Sequence, residues 1–245
     1  MFRFARIQKM LEINQKKSLI LMKPIYAHID SFNFKGEDLE MLFMNNNYSI
    51  QTVKSISTFE PQIWLQTFGK SLQRHIIEAK IVHTMMGLTI PLKRFASSPY
   101  KQTIEFAGLH SYTEHSKLLC KLLNDLYQHI QDELITRVDV AIDFKGAVPI
   151  KVLKALKKSR QPFHYKNSCY MKTNREKATN PHINICIYPK HKKENLDYEL
   201  ERVEFAFKGS YFRGNYLVKD LDSAILKMQK SIQRFTGLKV LIKSL

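Results

Sequence analysis

The amino-acid sequence predicts an α+β fold, with a mainly antiparallel central sheet of about five strands and helices packed on one face. Apolar and polar side chains alternate in residues 134–144, and again in two segments on either side of a charged loop within residues 181–209. Leucines recur at three- and four-residue steps between Leu118 and Leu126, which predicts a core-facing helix capped by Ser111 or Thr113. Further helices are predicted from Pro149 and over residues 219–235.

The chain of 245 residues is long enough for one large domain or two small ones. We expect a basic N-terminal segment (1–24), an N-terminal α/β part (25–98) and a larger domain (99–245). A single continuous domain over 25–245 is the alternative. Strand, helix and strand patterns follow one another in IYAHIDSF, GEDLEMLFM and YSIQTVKSIS, so the N-terminal part is a candidate for a duplicated β-α unit.

The composition points to a polyanionic partner. A hydrophobic content of 44% predicts a packed core, and the formal charge of +17 favours nucleic acid first and an anionic membrane surface second. No apolar run reaches the roughly eighteen residues of a spanning helix, so we expect no membrane insertion. Three cysteines without C-x-x-C spacing argue against a disulfide framework and a zinc site, and a cytoplasmic location is predicted.

Residues 134–144, LITRVDVAIDF, place two carboxylates on one face of a strand. Asp139 and Asp143 are four residues apart, so a regular strand separates them by about 13 Å. That separation is too long for direct ligation of one cation. Either a carboxylate from a neighbouring strand joins one of them, or a bulge brings the two together. A surface strand with solvated charges is the alternative interpretation.

The two strand patterns within residues 181–209 predict a hairpin whose polar face gathers Tyr188, Lys190, Arg202 and Glu204. Together with Asp139 or Asp143, Glu204 could hold Mg²⁺ or Mn²⁺, which prefer oxygen ligands. Tyr188 could then attack a phosphodiester as a nucleophile, while Lys190 and Arg202 offset the developing negative charge. These residue types therefore indicate phosphoryl transfer on a nucleic acid.

Residues 151–193 contain twelve Lys or Arg and a single acid, Glu176, and aromatic residues such as Tyr165 and Tyr170 are interleaved with them. Such a segment is typical of a surface that follows phosphates and stacks bases. The predicted nucleic-acid-binding residues are Arg137, Lys154, Lys157, Lys158, Arg160, Lys166, Lys172, Arg175, Lys177, Lys192 and Lys193.

The segments RVDVAIDF, ICIYPKHKKEN and ERVEF together resemble plasmid and mobile-element rolling-circle replication initiators of the Rep_trans type. In that family an R-x-D-x-x-x-D strand precedes a Y-x-K segment and an R-x-E strand, and the resemblance covers most of residues 101–209. It implies a DNA endonuclease and strand transferase, with chemistry shared by conjugative relaxases. The enzyme would nick an origin hairpin where it is single-stranded and form a 5′-phosphotyrosine at Tyr188. It also implies metal ligands among Asp139, Asp143 and Glu204, a homodimer, and a host helicase as partner.

Pro189 stands between Tyr188 and Lys190, where this family more usually has Asp or Asn. A proline restrains the backbone beside the nucleophile, so Tyr165, Tyr170 and Tyr198 stay alternative nucleophiles. The alternative function is a non-enzymatic DNA-binding or RNA-binding protein that uses the basic, aromatic-rich surface.

Overall fold

A computed structural model of the protein describes residues 24–36, 48–56, 75–83, 89–98, 101–173, 182–213 and 216–243. Within these ranges eleven strands form one sheet. They are β1 (Ile25–Gly36), β2 (Tyr48–Ile56), β3 (His75–His83), β4 (Thr89–Ser98), β5 (Lys101–Ala107), β6 (Leu134–Lys145), β7 (Arg160–Tyr165), β8 (Ser168–Thr173), β9 (Ile183–Pro189), β10 (Leu200–Lys208) and β11 (Val240–Lys243). The described helices are α1 (Glu114–Tyr127), α2 (Ile150–Ser159), α3 (Lys190–Glu194), α4 (Gly209–Phe212) and α5 (Leu221–Thr236), with a 3₁₀ turn at Val218–Asp220.

The sheet runs in the order β2-β3-β4-β5-β1-β6-β10-β9-β8-β7, and these neighbours pair antiparallel. β11 is the exception, because it pairs parallel with the first residues of β1. Strands β6, β10 and β9 are neighbours in this order, and they are the strand and the hairpin that the sequence singled out. The predicted α+β class is confirmed.

The predicted number of about five strands is wrong, because the described residues alone form a sheet of eleven. Strand β7 escaped prediction for a physical reason: it is exposed at every residue after Arg160, so it lacks the apolar alternation of a half-buried strand. Between residues 25 and 107 every described element is a strand of this one sheet. The helix predicted at GEDLEMLFM and residues 1–23 lie outside the described residues, and the domain boundaries stay predictions.

The sheet has an apolar face and an open face. Inward side chains of β6, β9 and β10, such as Val140, Ile185 and Phe205, share one core with residues of α1, α2, α4 and α5. Because successive strand residues point to opposite sides, the polar residues of the same strands lie on the other side, which we call the open face. None of the described helices is long and apolar enough to cross a membrane.

The sequence left Ser111 and Thr113 as the two candidates for the N-cap of helix α1. Thr113 is the N-cap, and its hydroxyl accepts a hydrogen bond from the Ser116 backbone N–H at 3.3 Å. We expect Thr113→Ala to lower the free energy of unfolding by about 1 kcal/mol, because that donor loses its partner. Urea denaturation measures the change, and Thr113→Ser is the matched control. A Thr113→Ala variant as stable as the wild type would contradict the assignment of the cap.

Candidate active site

Cross-strand pairing brings the predicted polar residues together on the open face. Tyr188 of β9 lies opposite Arg202 of β10, and Arg202 lies opposite Asp143 of β6. In the next row on this face, Glu204 lies between Cys186 and Ala141. The predicted hairpin of β9 and β10 is therefore confirmed.

Arg202 is fully buried and binds three segments of the chain. Its Nε and Nη2 donate to the two Asp143 carboxylate oxygens at 2.6 and 2.8 Å. Its Nη1 donates to Asp30 of β1 at 2.8 Å, and Nη2 also donates to the backbone carbonyl of His110 at 2.7 Å. Four of the five guanidinium N–H groups are thus used within the protein. Arg202 holds the site together, and its guanidinium is not free to contact a phosphate as the sequence suggested.

Asp143 is also held by the loop after β5. Tyr112 donates its phenolic hydrogen to Asp143 Oδ2 at 2.6 Å, and His110 Nε2 lies 3.4 Å from the same oxygen. Burial alone would raise the pKa of Asp143, but the contacts of His110, Arg202 and Tyr112 together hold it well below its ordinary value. Asp143 is therefore ionised at neutral pH and tightly bound.

This depressed pKa predicts a loss of stability in acid. A carboxylate with a lowered pKa in the folded state contributes stability that is fully present above its unfolded pKa of about 3.9 and is lost as the pH falls toward the folded value. We expect the free energy of unfolding to decrease between about pH 5 and pH 2, and Asp143→Asn to flatten that decrease. Asp132→Asn is the control, because Asp132 is exposed on the surface. Equal slopes in the two variants would contradict the prediction.

Tyr188 and Glu204 form a hydrogen-bonded pair on the open face. The Tyr188 hydroxyl donates to Glu204 Oε2 at 2.8 Å, and Lys193 Nζ lies 5.5 Å from the centre of the Tyr188 ring. Burial and the negative charge of Glu204 raise the pKa of the Tyr188 phenol above its ordinary value. The phenol is therefore protonated at neutral pH, so its attack on any electrophile requires a proton acceptor, and Glu204 is within reach.

Asp139 forms an ion pair within its own strand. Arg137 Nε and Nη2 donate to the two Asp139 oxygens at 2.8 and 2.7 Å, a bidentate geometry. Burial of this carboxylate outweighs the effect of Arg137 and raises the pKa of Asp139 to about 6. The pair joins two residues that the sequence assigned to different roles, a metal ligand and a DNA contact.

Lys190 is the first residue of α3, and Pro189 before it is the last residue of β9. The proline therefore stands at the end of the strand, where it is compatible with Tyr188 on the open face. The Lys190 side chain is 1% exposed, and its Nζ donates to Glu194 Oε1 at 2.8 Å. Burial and the positive charge of Arg202 lower the pKa of Lys190. A phosphate could reach this ammonium group only after the contact with Glu194 opens, which differs from the exposed role predicted for it.

The three predicted metal ligands each have a donor within the protein: Arg137 for Asp139, Arg202 for Asp143 and Tyr188 for Glu204. In the part of the chain that the structure describes, no group of three or more His, Cys, Asp or Glu is placed to hold a metal ion. This arrangement does not fit a divalent cation bound by the three carboxylates. Mg²⁺ or Mn²⁺ stays a prediction, and binding would require these carboxylates to exchange partners.

The predicted nucleic-acid-binding residues are spread over both sides of the sheet. Lys154, Lys157 and Lys158 are exposed on α2, whose apolar residues pack in the core, so they lie away from Tyr188. Lys166, Lys192 and Lys193 are exposed in the β7–β8 turn and on α3. Arg160 is instead buried, donates to the Ile183 carbonyl and stacks 5.1 Å from the Phe235 ring centre. The Lys172 side chain, Arg175 and Lys177 lie outside the described part.

Sequence reasoning missed the contribution of β1 and of the loop after β5. Asp30, His28, His110 and Tyr112 all contact or adjoin the Arg202–Asp143 pair. A signal existed for β1, because Tyr26, His28 and Asp30 alternate in IYAHIDSF as polar strand faces do. The loop residues follow Gly108 in a segment without periodicity, so no pattern indicated them.

No protein-family model and no curated protein matches the sequence. Among solved structures, the chain is similar to a rolling circle replication initiator protein from Geobacillus stearothermophilus, with 14% sequence identity and a TM-score of 0.42. The similarity covers 86% of this chain and 85% of that chain. At this identity and TM-score, the function of the chain has to be inferred from its site.

Proposed function

We propose that the protein is a DNA-nicking and strand-transfer enzyme that initiates rolling-circle replication through a covalent 5′-phosphotyrosine at Tyr188. The observation that carries this proposal is the hydrogen bond of 2.8 Å between the Tyr188 hydroxyl and Glu204, on the open face of a strongly basic chain. A nucleophile and a base within hydrogen-bond reach are what covalent catalysis requires.

In the proposed step the Tyr188 oxygen attacks phosphorus and its proton passes to Glu204. A bond forms between the phenolic oxygen and phosphorus, and the bond between phosphorus and the 3′ oxygen breaks. The leaving 3′ oxygen takes up a proton from water. Attack of a 3′ hydroxyl on the phosphotyrosine reverses the step and rejoins the strand, with the proton returned from Glu204 to Tyr188.

The surrounding residues have different proposed roles. Lys193, exposed beside the Tyr188 ring, attracts the phosphate, which is the role that the sequence gave to Lys190. Arg202 positions β9, β10 and β6 through Asp143 and Asp30 and is not itself in contact with substrate. A homodimer, an origin hairpin and a helicase partner are further parts of the proposal.

The test is to detect and map a covalent adduct. Purified protein is mixed with a labelled oligonucleotide that forms the origin hairpin, with Mg²⁺, Mn²⁺ or a chelator, and the denatured products are separated by electrophoresis. We expect a labelled protein band, and peptide mapping by mass spectrometry should place the nucleotide on Tyr188. An adduct on Tyr165, Tyr170 or Tyr198 would overturn the nucleophile, and tight binding without any adduct would favour a non-enzymatic DNA-binding protein.

Glu204→Gln is expected to slow adduct formation by about 10²- to 10⁴-fold, because an amide accepts the phenol's hydrogen bond but cannot take its proton. The rate is measured by quenching the reaction over time at saturating oligonucleotide. Glu201→Gln is the matched control on the same strand, since Glu201 accepts from the Val148 backbone N–H and faces the other side. A Glu204→Gln rate equal to that of the control would remove Glu204 as the base.

A further inference from the structure

The open face carries aromatic side chains on both sides of Tyr188. On the β1 side lie Tyr26, His28, His110 and Tyr112, which we call the β1 ledge. On the other side, the β7–β8 hairpin exposes Phe163, Tyr165 and Tyr170. We propose that the β1 ledge is a second nucleobase-binding subsite, so that one single strand of DNA crosses the open face with bases held on both sides of Tyr188.

Strand pairing places the two aromatic groups the same number of strands away from Glu204, the proposed general base. His28 pairs with Ala141, and Ala141 pairs with Glu204, so His28 lies two strands from Glu204. Tyr170 pairs with Cys186, which pairs with Glu204, so Tyr170 lies two strands away in the other direction. With strands about 4.8 Å apart, each group is about 10 Å from Glu204. The two aromatic groups are therefore about 20 Å apart across the sheet.

The β1 ledge has the flat aromatic surface that base stacking needs. The His28 and His110 rings are parallel within 6°, with centroids 3.8 Å apart, and the Tyr112 ring lies 4.8 Å from His110. Burial and the neighbouring His110 lower the pKa of His28 to about 4, so His28 is uncharged at neutral pH. Tyr26 is 57% exposed and Tyr112 44% exposed, so both rings are accessible to a ligand. Clustered exposed aromatic rings indicate a binding surface.

Tyr112 is held in place by its surroundings. It adopts a left-handed backbone conformation with φ of 61°, which is unfavourable for a tyrosine, and its hydroxyl is bound to Asp143. Because Asp143 is anchored by Arg202, the ring of Tyr112 is fixed relative to the proposed catalytic pair. The subsite and the nucleophile therefore share one rigid support.

The lysines beside the aromatic rings indicate that the ligand is a polyanion, and the rings themselves indicate that the faces of its bases are exposed. Three tyrosine rings on the open face each have a lysine ammonium nearby: Lys243 is 5.2 Å from the Tyr26 ring centre, Lys166 is 5.6 Å from Tyr165, and Lys193 is 5.5 Å from Tyr188. An aromatic face beside a cation suits a stacked base and its phosphate. A duplex hides its base faces, so a single strand fits better. The preference for DNA over RNA, and the position relative to a cleavage site, rest on the proposed function.

The test measures binding of fluorescein-labelled oligothymidine of twelve nucleotides by anisotropy, without divalent cation. This probe contains no origin sequence, so its binding does not depend on nicking. We expect Tyr26→Ala and Tyr112→Ala each to weaken binding by about 5- to 100-fold, because each removes one stacked ring. Tyr26→Phe should keep wild-type affinity. Leu226→Ala is the matched control, since Leu226 is exposed on α5 in the helical layer.

Salt dependence separates stacking from charge. Tyr26→Ala should leave the slope of log affinity against log salt unchanged, whereas Lys243→Gln should reduce it by about one. As a second measurement that needs no variant, irradiation of bromodeoxyuridine-containing oligonucleotide should cross-link the wild-type protein to peptides that contain Tyr26 or Tyr112. Wild-type affinity in both alanine variants, cross-links confined to other peptides, or tighter binding of oligouridine RNA would overturn the proposal.

Discussion

Tyr188→Phe is expected to abolish the covalent adduct and leave the affinity for the hairpin oligonucleotide unchanged. The substitution removes only the phenolic oxygen, which is the atom that would bond to phosphorus. The ring beneath Lys193 and its packing on β9 remain. Loss of the hydrogen bond to Glu204 should cost about 1 kcal/mol of stability, too little to unfold the protein. Gel electrophoresis measures the adduct, and anisotropy measures the affinity.

Other tyrosines supply the matched controls. Tyr170→Phe and Tyr198→Phe should both form the adduct at the wild-type rate, because neither phenol is hydrogen-bonded to Glu204. Tyr112→Phe also tests whether the Asp143-bound phenol is the nucleophile. If Tyr188→Phe still forms an adduct and one of these three variants does not, that other tyrosine is the nucleophile.

Arg202→Ala is expected to lower the free energy of unfolding by about 3–5 kcal/mol. The alanine leaves Asp30 and Asp143 buried without their cation, and it frees the His110 carbonyl. Domains of this kind are stable by only about 5–15 kcal/mol, so much of the stability would be lost. Urea denaturation followed by circular dichroism measures the change.

Two further variants test whether unpaired charge causes that loss. Arg234→Ala, at an exposed position in the last turn of α5, should change stability by less than about 1 kcal/mol. The triple variant Arg202→Met, Asp30→Asn, Asp143→Asn removes the arginine together with both buried charges, so it should be more stable than Arg202→Ala. If the triple variant is no more stable, lost packing rather than charge explains the effect.

Period-two alternation allowed the central strands to be predicted. In β6, β9 and β10 every second residue is apolar and enters the core, so the other residues share a face whatever the neighbours are. That reasoning placed Tyr188, Arg202, Glu204 and Asp143 on one surface before any partner strand was known. Leucines at three- and four-residue steps identified α1, and the helix predicted over residues 219–235 is α5, which ends before Gly237, whose φ of 72° suits glycine.

The partners of the charged residues could not be predicted, because they depend on register and on strands remote in sequence. Asp143 faces Arg202 because β10 pairs with β6 in one particular register. Asp30 reaches the same arginine only because β1 lies on the other side of β6. Asp139 was matched with a metal, although Arg137, two residues earlier on the same face, is its partner. Alternation predicts on which face of the sheet a side chain lies, but not which side chain it contacts.

The hydrogen bonds of Arg202 also have a consequence for the order of events during synthesis and folding. Its bonds to Asp143, His110 and Asp30 span 59, 92 and 172 residues of sequence. Contacts between such distant segments form late, because long loops must close first. During synthesis from the N-terminus, Tyr188 leaves the ribosome before Arg202 and Glu204 do. A partly synthesised chain therefore carries the proposed nucleophile without its general base or its support, and the proposed cleavage would require the folded chain.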